Sequence, residues 1–270
     1  MQRIISVAVL TICLYGSNAQ GQVGKNETVL NPNRAGVEQL LALAQLDSAL
    51  VEGIVEGRPF IGMEAFNAYL DSTLADSVQA ELYVNLFLPI NLNTASDAEM
   101  KLVPGVGKRM AHEFEEYRPY KSMAQWRREI GKYVDDDELA RLEQYVFVPL
   151  ELNTASEADF LTIPGVGKRM AHEFEEYRPY KSMAQWRREI GKYVDDDELA
   201  RLEQYVFVPL ELNTASEADF LTIPGVGKRM AHEFEEYRPY KSMAQWRREI
   251  GKYVDDNELA RMERYVFLEE

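Results

Sequence analysis

The chain has 270 residues, 46% hydrophobic and 28% charged, with 45 Asp+Glu against 30 Lys+Arg for a formal net charge of −15. That apolar content belongs to folded protein and excludes a disordered or fibrous chain. A single cysteine, Cys13, excludes a disulfide framework, and the acid excess excludes a generally basic surface, so any contact with a polyanion must be local.

The first predicted element is residues 1–19. Met1-Gln2-Arg3 is a short basic head, Ile4 to Tyr15 is mostly apolar, and Ser17-Asn18-Ala19 offers small residues for cleavage. The pattern reads as a signal peptide, which places the mature chain in the periplasm or outside the cell. An uncleaved anchor is the bland alternative and the only membrane attachment expected. Cleavage removes Cys13 and, with Arg3, takes the formal charge from −15 to −16. Residues 20–28 read as a linker.

Beyond it the chain repeats with an offset of 60. Residues 91–150 and 151–210 differ only at positions 91, 97, 99, 100, 101, 102 and 103. Residues 151–210 and 211–270 differ only at 197/257, 202/262, 204/264, 208/268, 209/269 and 210/270. Residues 29–90 are an older copy: Asn31-Pro32-Asn33-Arg34-Ala35 aligns with Asn91-Leu92-Asn93-Thr94-Ala95, and Arg58-Pro59-Phe60 with Arg118-Pro119-Tyr120. Four small units follow, 29–90, 91–150, 151–210 and 211–270. Each is marginal by itself, since a chain of this size buries little core.

Residues 151–210 show what one unit contains. Thr154 with Glu157, or Ser156 with Asp159, caps a first helix; the two registers are not separable by pattern. Pro164-Gly165 ends it. A second helix runs from about Lys168, with Met170, Phe174 and Tyr177 as its apolar stripe, and stops before Pro179. Ser182 with Gln185 caps a third, which turns Trp186 and Ile190 inward. The last starts near Asp195 and buries Leu199, Leu202, Tyr205 and Val206. β signals are almost absent, so the expected class is all-α, in tandem units joined by short connections.

The connection between the first two helices carries the chemistry. It reads Val103-Pro104-Gly105-Val106-Gly107-Lys108-Arg109-Met110-Ala111, and returns with Ile163 and Ile223 in place of Val103. Pro104 stops one helix. Gly105 and Gly107 allow positive φ and leave the backbone bare. The N–H groups after such a turn converge where the next helix presents its positive end, a ready anion site. The candidate phosphate-binding residues are therefore Gly105, Val106, Gly107, Lys108 and Arg109, with Gly165, Val166, Gly167, Lys168 and Arg169, and Gly225, Val226, Gly227, Lys228 and Arg229. The bland reading is a tight turn kept for packing alone. In the oldest unit the same place is Ala44-Gln45-Leu46-Asp47-Ser48. Both glycines and both cations are gone, and the packing frame is expected to outlive the trap.

The pattern apolar-Pro-Gly-apolar-Gly-x-x-x-Ala resembles the helix-hairpin-helix motif. Asn-Thr-Ala-Ser-Glu-Ala-Asp-Phe-Leu-Thr-Ile-Pro-Gly-Val-Gly (153–167), followed by Glu-Glu-Tyr-Arg-Pro-Tyr (175–180), resembles the ComEA-type competence DNA receptors. The likeness covers residues 91–270 well and 29–90 faintly. It implies a small helical domain that grips duplex DNA by its phosphates, without sequence preference, in DNA uptake. In some members it also implies a monovalent cation on the carbonyls of the turn. One feature departs from the family: where a second Gly-x-Gly hairpin is expected, this chain has Tyr133-Val134-Asp135-Asp136-Asp137-Glu138.

That acid run reads more simply as helix capping than as a calcium loop, whose alternate spacing it lacks. Arg118, Lys121, Arg127, Arg128 and Lys132 either extend a phosphate face or form a solvated one. His112, His172 and His232 have no nucleophile, cysteine or second histidine beside them, so neither catalysis nor a structural metal or cofactor is expected. Two functions remain. One is non-enzymatic, sequence-independent binding of double-stranded DNA, weak and salt-dependent. The other is an acidic structural or adaptor protein that uses the same helices for a protein partner.

Overall fold

The structure, a computed structural model, describes residues 28–269. The signal-peptide reading of residues 1–19 and all of the linker but Thr28 lie outside it. The described chain is mostly helical and builds four units about 60 residues apart.

The first unit contains α1 (Val37–Leu41), α2 (Ser48–Glu56), α3 (Met63–Asp71) and α4 (Asp76–Tyr83). The second runs β1 (Ile90–Asn91), α5 (Asp97–Met100), α6 (Lys108–Glu116), α7 (Met123–Ile130), α8 (Asp136–Leu142), a 3₁₀ turn at Glu143–Tyr145 and β2 (Val146–Phe147). The third repeats this as β3 (Leu150–Glu151), α9 (Glu157–Phe160), α10 (Lys168–Glu176), α11 (Met183–Ile190), α12 (Asp196–Glu203) and β4 (Val206–Phe207). The fourth has β5 (Leu210–Glu211), α13 (Glu217–Phe220), α14 (Lys228–Glu236), α15 (Met243–Ile250), α16 (Asp256–Glu263) and β6 (Val266–Phe267).

Local rules place these helices. Ser122 Oγ accepts from the Gln125 N–H and starts α7; Asp135 Oδ1 accepts from the Glu138 N–H and starts α8. The undecided first cap resolves in favour of Ser156 with Asp159, a reciprocal capping box, so α9 is a single turn. The acid run is therefore the N-terminus of α8, where negative charge meets the positive end of the helix.

The class is all-α as expected, and the little β structure present lies at the unit ends. Each later unit closes on itself with a two-residue parallel pair, Ile90 opposite Val146 and Asn91 opposite Phe147 in the second unit. The third and fourth units repeat this, and Leu30 makes a lone parallel bridge to Leu86 in the first. Two residues per strand are too few to show an alternating pattern in sequence.

Inside each unit an aromatic pair anchors the core. Trp126, Trp186 and Trp246 are fully buried and meet Phe114, Phe174 and Phe234 edge-on, with centroids 5.7–5.8 Å apart. Such pairs add about 0.5–1.5 kcal/mol beyond the area they bury.

Two side chains tie the two halves of a unit. Asn93 Nδ2 donates to Tyr120 O at 2.9 Å, and Tyr120 N–H donates back to Asn93 Oδ1 at 2.7 Å. Arg118 donates to the carbonyls of Leu92 (2.5 Å) and Ala95 (2.6 Å). The first unit keeps both ties, through Asn33 with Phe60 and Arg58 with Pro32 and Ala35. The packing frame has indeed survived there.

The units are not beads on a string. Phe87, Phe147 and Phe207, at the end of one unit, pack against Tyr145, Tyr205 and Tyr265 of the next, edge-on or tilted, with centroids 4.4–5.1 Å apart. The first and second units share one core. Contact also skips a unit: Arg34 of the first pairs with Glu198 of the third at 3.1 Å.

Candidate functional site

The turn before α6 is built in two parts. Gly105 has φ +80°, as do Gly225 (+80°) and Gly165 (+81°), so this glycine makes the chain reversal. A Cβ on Gly105 would also stand 2.9 Å from Arg141 Nη2. Gly107 differs from expectation. Its φ is −95°, extended backbone open to any residue, and a Cβ there would meet nothing within 4 Å. What Gly107 provides is empty space in front of a helix end.

That helix end is bare. Gly107 caps α6 without a side-chain hydrogen bond, and Gly167 and Gly227 do the same for α10 and α14. The first helical bond is Ala111 N–H to Gly107 O at 3.0 Å. The N–H groups of Lys108, Arg109 and Met110 precede it and have no helical acceptor. Val106 departs from the sequence reading. Its N–H donates to Val103 O at 3.0 Å and its side chain is buried, so it shapes the turn and leaves no donor for a ligand. Val166 and Val226 are spent in the same way on Ile163 and Ile223. The Met110 N–H, which residue type alone does not single out, takes its place among the donors.

The first unit shows the same position filled. Asp47 stands where the later units have Gly107, and its Oδ1 accepts from the Leu50 N–H at 2.9 Å. Leu50 is the counterpart of Met110. There the chain supplies its own anion to the helix end; in the later units no side chain does.

The cations around the turns are the unpaired ones. Arg127 is engaged by Glu143, Arg128 and Lys132 share Glu129, and Arg118 is bound to carbonyls. Arg141 pairs with Glu138 through two bonds of 2.6 and 2.7 Å. Lys108, Arg109 and Lys121, with their copies in the third and fourth units, are the exposed cations whose side chains have no hydrogen bond or ion pair among the described residues. Of the middle cations, then, only Lys121 keeps a free charge.

The acids show where charge is held. Bonds from Lys132 and Arg128 hold the Glu129 carboxyl below its ordinary value, and Glu189 and Glu249 behave alike. Burial pushes Glu143 up, partly offset by Arg127. His112, His172 and His232 lie about 70% exposed, facing Glu116, Glu176 and Glu236 at 3.6–3.9 Å. Among the described residues no cluster suits a metal ion, and no helix is long and apolar enough to cross a membrane.

No protein-family model, no curated protein and no solved structure matches the chain.

Proposed function

We propose that this protein binds double-stranded DNA without enzymatic activity or sequence preference, holding backbone phosphates at the turns before α6, α10 and α14. The observation that carries the reading is the contrast between Gly107 and Asp47. A carboxylate fills the helix end in the first unit, while three later units keep it bare, open and flanked by two unpaired cations. A phosphate oxygen at that spot receives backbone N–H groups and charge-assisted bonds from Lys108 or Arg109 together. The resemblance to helix-hairpin-helix proteins of the ComEA type supports the same ligand and suggests a role in DNA uptake in the periplasm or outside the cell.

The contacts are to backbone only, so two duplexes of unrelated sequence should bind equally. A gel-shift competition between them checks this, and strong preference for one would remove the backbone-only reading. Net charge limits each contact to a weak one, and three on one chain recover affinity through effective concentration. The second reading, an adaptor for a protein partner, draws on the acidic first turns of α8, α12 and α16, which present Asp136, Asp196 and Asp256 to solvent.

A further inference from the structure

The three hairpins share one sequence but not one environment. At the third unit, the guanidinium of Arg34 lies against the turn: a Cβ on Gly165 would collide with Arg34 Cζ, Nη1 and Nε. Arg34 Nη1 donates to Glu198 Oε1 at 3.1 Å. The same carboxylate already accepts two bonds from Arg201, at 2.6 and 2.7 Å. One anion therefore answers two guanidinium groups. Arg201 is 2% exposed, and its Nη1 has no partner, so the second charge is not neutralised elsewhere. Lys168 and Arg169 stand unpaired on the same turn. At the second unit the corresponding set is Arg141 with Glu138 and the free Lys108 and Arg109, with no visiting cation; Arg141 is 33% exposed. Position 34 is Thr94, Thr154 and Thr214 in the later units, so at this position only the first unit carries an arginine.

We propose that Arg34 is a phosphate-binding residue of the third unit's hairpin, making Gly165–Arg169 with Arg34 a composite site that holds a nucleic-acid backbone phosphate more tightly than the second unit's hairpin does. This rests on the DNA-binding reading above. The first unit, having closed its own helix end with Asp47, contributes to its neighbour's site instead. Arg34 is 40% exposed, so its remaining N–H groups can reach a phosphate while Glu198 holds it in place.

The test uses the full mature chain and a labelled 30-base-pair duplex at several salt concentrations. Arg34→Ala should weaken binding by about three- to tenfold and lower the salt slope by about 0.9, the value of one phosphate contact. Arg34→Lys should keep the slope. Glu198→Gln breaks the cross-unit ion pair but frees the cation, so it should strengthen binding. A purely structural Arg34 gives the opposite pattern: Arg34→Ala lowers the melting temperature and leaves the slope alone, and Glu198→Gln does not tighten binding. Either result overturns the proposal while wild-type binding still stands. If the wild-type chain does not bind duplex at all, the hairpin reading fails, and this one with it.

Discussion

Asn93 and Tyr120 exchange two hydrogen bonds, side chain to carbonyl at 2.9 Å and amide to side chain at 2.7 Å, across 27 residues of chain. The exchange recurs at Asn33, Asn153 and Asn213. It explains why an asparagine and an Arg-Pro-aromatic triplet return together, including in the unit whose hairpin has been lost. Asn93 is 3% exposed, so truncation strands a buried N–H and a buried carbonyl. Asn93→Ala should cost about 1–3 kcal/mol, read as a lower melting temperature, while DNA binding by the remaining folded protein persists.

The two glycines of each hairpin should separate in mutagenesis. Gly105→Ala puts a side chain at φ +80° and 2.9 Å from Arg141. The left-handed conformation alone costs about 1–2 kcal/mol, so thermal melting should fall by a few degrees. Gly107→Ala enters extended backbone with nothing within 4 Å of the new Cβ and should leave melting nearly unchanged. Equal effects at both positions would contradict this division of labour.

Asp at positions 107, 167 and 227 should copy the first unit. Each new carboxylate would cap its own helix, as Asp47 does with the Leu50 N–H, so stability holds or rises by a few tenths of a kcal/mol. Duplex retention should be lost, because the phosphate site then carries its own anion. Circular dichroism and a gel shift on the triple variant read the two effects separately.

Acid should act in two stages. Glu129, Glu189 and Glu249 are held below the ordinary glutamate value by Lys and Arg bonds. Their contribution to stability is present above the unfolded value and is lost as pH falls through the folded one. Glu99 and Glu143 are raised by burial, so they burden the fold at neutral pH and are relieved on first acidification. Melting temperature should therefore hold or rise slightly from about pH 7 to about pH 5 and fall below the ordinary glutamate range. A steady fall beginning above about pH 6 would contradict the assignment.

Much of this architecture was legible because the repeat multiplies each signal. Ser182 and Asp195 announce helix starts, Trp186 and Ile190 announce the buried face, and the structure places them so. The hairpin was legible as glycines and cations, but the roles of its atoms were not. Residue type does not reveal that the Val106 N–H turns back to Val103, or that Gly107 matters for the volume in front of it. Asp47 held the clue: aligning it with Gly107 identifies the Met110 N–H as the donor left free. The parallel pairs at the ends of each unit were too short for any period. The contact of Arg34 with the third unit depends on how units stack, which no local pattern encodes.

On the proposed function, bare helix ends flanked by unpaired cations hold phosphate. The deciding measurement is fluorescence anisotropy of a labelled 30-base-pair duplex with the protein and with its Gly107→Asp, Gly167→Asp, Gly227→Asp variant, at low and at physiological salt. The expected result is binding by the wild-type chain that weakens with salt at a slope of a few units, near 0.9 per phosphate held, and no binding by the equally folded variant. Equal binding by both proteins, or a wild-type chain that ignores the duplex at low salt, would contradict it.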